Sequence, residues 1–135
     1  MSGRADLGDA ASRHWLSLSE QDLAGAEALA ASAAVEPRLG AGLAAQAAEK
    51  ALKGAIAAAG AAPPRTHDLV RLAQLARATV DLTASDAGLR RLTDAYQQAR
   101  YPDPAGSDYD RAESSELLQV ARAVVADVTN ALGKG

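Results

Sequence analysis

His67 follows a Pro63-Pro64-Arg65 turn, and Arg100 follows Leu92 and Tyr96 at spacings of eight and four. An imidazole and a guanidinium are the side chains suited to work on a phosphate, one as a proton-handling ring and the other as a planar donor fork. The spacing places His67 at the start of a helix, where the positive end of the helix dipole favours an uncharged ring able to act as base or relay. The plainer reading has His67 capping the turn or packing under Arg65. Arg100 has two readings as well. It complements the negative end of its own helix, worth roughly 0.3–1 kcal/mol, or it is held at the rim of the fold with its donors turned toward phosphate or carboxylate.

Glu49 falls on a stripe with Ala45, Leu52 and Ile56, so its carboxylate points partly inward. It either pairs with Lys53 at i+4, for a few tenths of a kcal/mol, or orients a basic residue from another helix. Asp22 continues a stripe between Leu18 and Ala26 and is expected to pair with a basic residue of the next helix. His14, beside Trp15, receives no role. The chain has no cysteine, which removes disulfides, thiolate zinc sites and cysteine nucleophiles. Its carboxylates and histidines lack the i, i+3/i+4 spacing of helical metal sites. Neither a metal nor a cofactor is expected.

The elements that must position these groups are helices. Thirty-five alanines and 17 leucines stand against seven valines, one isoleucine and no phenylalanine, a composition that favours helix over strand. A first helix is expected from Asp9 to about Ser32, with Trp15, Leu18, Ala26, Leu29 and Ala33 inward. A second runs from about Arg38 to Ala59, opened by Pro37 and ended by Gly60, with Leu39, Leu43, Leu52 and Ile56 supplying most of its burial. A third starts near Thr66 or His67 and buries Leu69, Leu72, Ala73, Ala76 and Val80. Ser85 caps a fourth carrying Leu89, Leu92 and Tyr96, which stops before Pro102. Asp110 with Glu113 reads as a capping-box variant opening a last helix along Leu117, Ala121, Val124, Val128 and Leu132.

The expected fold class is all-α, an antiparallel up-and-down bundle of four long helices and one short one. It forms a single domain over residues 1–135, with residues 1–8 and 133–135 as flexible tails. A net charge of −3 supplies no global attraction to nucleic acid or anionic membrane, so any RNA contact must come from a local patch. No apolar run approaches the roughly 18 residues of a membrane span, and the N-terminus lacks a signal-peptide core. A cytoplasmic location is expected.

The blocks Ala48-Glu49-Lys50-Ala51-Leu52-Lys53, Pro64-Arg65-Thr66-His67-Asp68-Leu69 and, after Tyr96, Ala99-Arg100-Tyr101-Pro102-Asp103 resemble the HEPN family of helical bundle domains. Trp15 followed by Asp22-Leu23 fits the family's first helix, and the resemblance spans residues 12–130. It implies a homodimer, often beside a minimal nucleotidyltransferase partner in a toxin–antitoxin-like pair. Many members are thought to be metal-independent ribonucleases built on an Arg and a His separated by four to six residues. There the His handles the 2′-hydroxyl or leaving-group proton and the Arg stabilises phosphorane charge. In this chain the positions counted from Arg100 are Ala105, Gly106 and Ser107. Those counted back from His67 are Gly60, Ala61 and Ala62, and from His14 they are Leu7, Gly8 and Asp9.

The resemblance without that pair implies a non-catalytic dimer that binds a nucleotide, RNA or other phosphate-bearing ligand, or the nucleotidyltransferase partner. Lys53, His67, Arg100 and Tyr101 are the expected ligand-facing residues, supported by Asp22, Glu49, Asp68, Tyr96 and Asp103. A ribonuclease using His67 with Arg100 as an atypical pair, and a purely structural scaffold, are the alternatives. In some HEPN proteins a tyrosine of this region takes a nucleotide, and Tyr101 and Tyr109 stand there in this chain.

Overall fold

The computed structural model describes residues 3–102, 104 and 109–133, with residues 3–7 described by their backbone alone. Five helices and no strand occur among them: α1 (Gly3–Ala31), α2 (Pro37–Ala58), α3 (Leu69–Ala76), α4 (Asp86–Arg100) and α5 (Arg111–Gly133). The all-α bundle of four long helices and one short one is thus the observed architecture, with α3 the short member. α1 begins at Gly3 rather than Asp9, so most of the expected N-terminal tail is helix. At the other end, α5 extends through Gly133. No helix among the described residues is long and apolar enough to cross a membrane.

α2 is the axis of the fold and touches each of the other four helices. Its surface is small on every side, with Gly40, Ala41, Ala44, Ala47, Ala48, Ala51 and Ala55 all buried. A helix with small apolar residues on so many of its sides is satisfied by being surrounded. The small residues also permit close approach. A Cβ placed on Gly42 would overlap the Ala99 methyl of α4, and one on Gly54 would stand 3.3 Å from the Trp15 Cβ of α1. Around this axis Leu52, Leu69, Leu72, Leu89, Leu92 and Leu117 are fully buried, each worth about 1.5–3 kcal/mol relative to exposure.

Close approach explains two departures from the sequence reading. On α1 the seam facing α2 is Ser12, Ser19 and Ala26, which are buried, while Trp15, Leu18 and Leu29 flank it half-buried and Ala33 is exposed. Between helices this near, a serine fits where a leucine would not, and Ser19 donates its hydroxyl to the Ala47 carbonyl at 2.7 Å. On α2, Leu39 was expected to supply burial but is 40% exposed. Leu52 and Ile56 are buried as expected, Leu43 is half-buried, and the alanines supply the rest.

The helix ends follow their caps. Ser85 accepts from the Gly88 N–H at 3.0 Å. Asp110 accepts from the Glu113 N–H at 2.7 Å, while Glu113 accepts from the Asp110 N–H at 3.4 Å, a reciprocal box. Gly60, at φ 88°, takes the left-handed turn that ends α2. The third helix is shorter than its apolar pattern implies. It starts at Leu69 rather than near Thr66 or His67, capped by Asp68, which accepts from Val70 and Arg71 N–H at 3.0 and 3.3 Å. After Ala76 the Arg77 guanidinium turns to the Ala84 carbonyl and the Asp86 carboxylate, and Val80 is buried from the connector rather than from helix.

Candidate functional site

Glu49 is buried in the alanine-lined centre of α2, where an unpaired carboxylate would be strongly destabilising. Both oxygens are engaged. Oε2 accepts from Lys53 Nζ, one helical turn along, at 3.1 Å, and Oε1 accepts from His67 Nδ1 at 2.6 Å. The two sequence readings of Glu49 therefore hold together: it forms the i+4 pair and it also fixes a basic ring from outside α2. His67 itself lies ahead of the α3 cap, so the dipole placement expected for it is not the one adopted. Its ring is held by the carboxylate and stacked on Tyr96, with centroids 4.4 Å apart and planes 28° from parallel.

The contacts continue along α4. His67 Nε2 lies 3.3 Å from the Tyr96 hydroxyl, and Arg100 Nη1 donates to that hydroxyl at 2.5 Å. The Arg100 guanidinium sits 5.4 Å from the Tyr96 ring centroid and 6.0 Å from that of Tyr101, within range of cation–π attraction. Lys53, Glu49, His67, Tyr96 and Arg100 thus form one continuous polar chain running from α2 across the loop to the last residue of α4. Two local devices hold its geometry. Thr93 of α4 accepts from the Leu69 N–H at 3.1 Å, pinning the start of α3 beside α4. The Gly42–Ala99 approach seats the end of α4 on α2.

Exposure divides the chain into an inner and an outer part. Lys53 is only 8% exposed, its ammonium lying 5.6 Å from the Trp15 ring centroid and committed to Glu49. Lys53 was expected to face a ligand; this geometry gives it a supporting place instead. Tyr96 and Glu49 are buried as well. His67, Arg100 and Tyr101 are exposed, Tyr101 at 70%. The Tyr96 hydrogen bond foremost, then the attraction of Tyr96 and Tyr101, pushes the Arg100 pKa still higher than an ordinary arginine's. The outer part therefore holds a permanent cation with the exposed Tyr101 ring 6.0 Å from it.

The remaining sequence candidates are placed elsewhere or differently. Asp22 pairs with Lys50 of α2 at 2.5 Å, the inter-helix pairing its stripe implied, and no hydrogen bond among the described residues ties that pair to the polar chain. Asp68 serves as the α3 cap. Asp103 lies outside the described residues. No group of three or more potential metal ligands occurs among the described residues. A cavity of about 350 Å³ lined by Asp9, Arg13, Leu16 and Leu132 lies between α1 and α5 and contains no member of the chain. Trp15 is the participant that sequence reading assigned only to packing. Its closeness to Lys53 depends on the Gly54 contact, which brings α1 and α2 together, and no spacing in the sequence signals that.

The HEPN domain profile matches residues 12–131. Among solved structures, the chain is similar to the crystal structure of TT1696 from Thermus thermophilus. The TM-score is 0.71 and the identity 27%, over 88% of this chain and 96% of that one. No curated protein matches the sequence.

Proposed function

The chain belongs to the HEPN domain family, and from that premise we propose that it is a non-catalytic, homodimeric module binding a phosphate-bearing ligand, a nucleotide or RNA, at Arg100. The observation that carries this reading is the unbroken chain from Lys53 to Arg100, which gathers the exposed His67, Arg100 and Tyr101 at one place. A guanidinium presents several N–H donors in a fork that matches phosphate oxygens. Tyr101, 6.0 Å from the guanidinium and largely exposed, offers a face on which a base can stack. Specificity for phosphate then comes from Arg100, and tolerance for different bases from Tyr101.

The non-catalytic part of the reading is supported by the occupancy of the imidazole. Both ring nitrogens of His67 have intramolecular partners, so neither is poised to take a proton from a 2′-hydroxyl. The family's Arg–His spacing is also missing from the sequence. Dimerisation is supported by the modest apolar area that an alanine-rich core buries per helix and by the exposed Leu39 and Leu75. A minimal nucleotidyltransferase, reading the same cationic surface, is the proposed protein partner.

Isothermal titration with ATP, GTP and a short RNA tests the central part. Heat is expected with wild type and not with Arg100→Ala, and silence from all three ligands with wild-type protein overturns the ligand assignment. Metal-free cleavage of RNA at protein concentrations well above any contaminant would restore the ribonuclease alternative. A light-scattering mass near 13.7 kDa at micromolar concentration would contradict the dimer.

A further inference from the structure

The polar chain has a donor-only group at one end and an acceptor-only group at the other. Arg100 can only donate, and the Glu49 carboxylate can only accept. Between them stand two groups able to do either, His67 and Tyr96. With a neutral imidazole, one arrangement satisfies all contacts. His67 carries its proton on Nδ1 and donates to Glu49 Oε1; its Nε2 then accepts from the Tyr96 O–H; the Tyr96 oxygen accepts from Arg100 Nη1. Every hydrogen bond points toward Glu49, including the one from Lys53.

We propose that Glu49 and Tyr96 are positioning residues for phosphate binding: Glu49 sets the direction of the chain, and Tyr96 converts that direction into a fixed guanidinium. This deepens the reading of Arg100 as the ligand-facing cation and rests on it. With its proton committed to His67, the Tyr96 oxygen turns a lone pair on Arg100 and anchors one N–H inward. The remaining donors of the exposed guanidinium are then held near one orientation, rather than sampled by a free side chain. An arginine held this way gives up less rotational freedom when it binds.

Lys53 makes the direction testable. In Glu49→Gln the amide oxygen must face Lys53, because an ammonium offers only donors. The amide NH₂ then faces His67, whose Nδ1 has to accept, so the ring proton moves to Nε2 and points at Tyr96. The Tyr96 oxygen now meets two donors, and Arg100 competes with His67 for it. The variant keeps the side chain's heavy-atom count but reverses both hydrogen bonds of His67. Tyr96→Phe instead keeps the ring stack on His67 while removing the relay.

The experiment pairs nitrogen-15 NMR of the histidine ring with calorimetric titration of ATP, on wild type, Glu49→Gln, Tyr96→Phe and Arg100→Ala. The expected results are an Nδ1–H tautomer in wild type, an Nε2–H tautomer in Glu49→Gln, and affinity about tenfold weaker in both relay variants. A merely structural role would lower stability without weakening the affinity of the folded protein for ATP. If Arg100→Ala abolishes binding while Tyr96→Phe binds like wild type, the positioning role is overturned and the Arg100 site stands. If Arg100→Ala binds like wild type, the Arg100 site falls and the positioning role falls with it. A Glu49→Gln ring that keeps its proton on Nδ1 refutes the directional relay whatever the ligand does.

Discussion

Replacing Gly42 with alanine perturbs both the packing and the site. The new Cβ would overlap the methyl of Ala99, and behind it lie the Ala95 carbonyl oxygen at 3.6 Å and the Ala99 Cα at 3.8 Å. The obstruction is thus the body of α4, not the tip of a flexible side chain, and relief requires moving a helix. Overpacking of this kind costs about 1–3 kcal/mol, whereas glycine to alanine within a helix gains about 0.5–1 kcal/mol. The overlap wins, for a net loss of about 1–2 kcal/mol. In urea that lowers the midpoint on the order of 0.5–1 M with the slope unchanged. Exchanging the pair, Gly42→Ala with Ala99→Gly, restores the space and leaves helix propensity balanced. The double-mutant cycle should therefore show a favourable coupling of about 1–3 kcal/mol. Since Ala99 directly precedes Arg100, the single variant should also weaken ATP binding and the double variant recover it. A Gly42→Ala protein as stable as wild type would refute the close packing that seats the end of α4.

Two further outcomes are expected at other positions. Lys53→Met leaves a buried carboxylate held by His67 alone and should reduce stability by roughly 2–4 kcal/mol in denaturant melts; if Lys53 were instead a direct ligand contact, affinity would fall with little change in stability. Tyr109 is half-buried between α4 and α5, and burial first, then Asp94 and Glu113, raise its pKa above the usual 10.0 against an opposing effect of Arg91. A raised folded-state value means that the folded protein holds the phenolic proton more tightly than the unfolded chain. Stability from this group is full below pH 10 and is lost as pH rises from there through the folded value, so Tyr109→Phe should flatten alkaline melts, with tyrosinate absorbance as the direct readout.

Local chemistry was the part of the fold most readable from sequence. Pro37, Gly60, Ser85 and the Asp110–Glu113 pair each act within one turn of themselves, and each lies where its side chain or backbone demands. The third helix was less readable, because its apolar stripe runs on to Val80 while the Asp68 cap and the Arg77 contacts restrict the helix to residues between them. Long-range closeness was not readable at all. Ser12 and Ser19 line a buried seam because Ala- and Gly-rich α2 comes within reach, and polarity alone argued for the opposite face. The same holds at the site. Glu49, His67, Tyr96 and Arg100 were each singled out by type and position, but their joining depends on an 18-residue separation closed by the α2–α3 loop and a 29-residue one closed by α4. Lys53 illustrates the limit: its charge suggested a ligand contact, while its place under Trp15 makes it a partner of Glu49.

The most direct measurement is chemical-shift mapping of the intact protein on addition of ATP, following backbone amides and the arginine side-chain nitrogens. The largest changes should fall on Arg100, Tyr101 and His67, with the Arg100 guanidinium signal shifting on saturation. Changes centred on Arg13 and Leu132 at the cavity between α1 and α5, or none at saturating ligand, would contradict it.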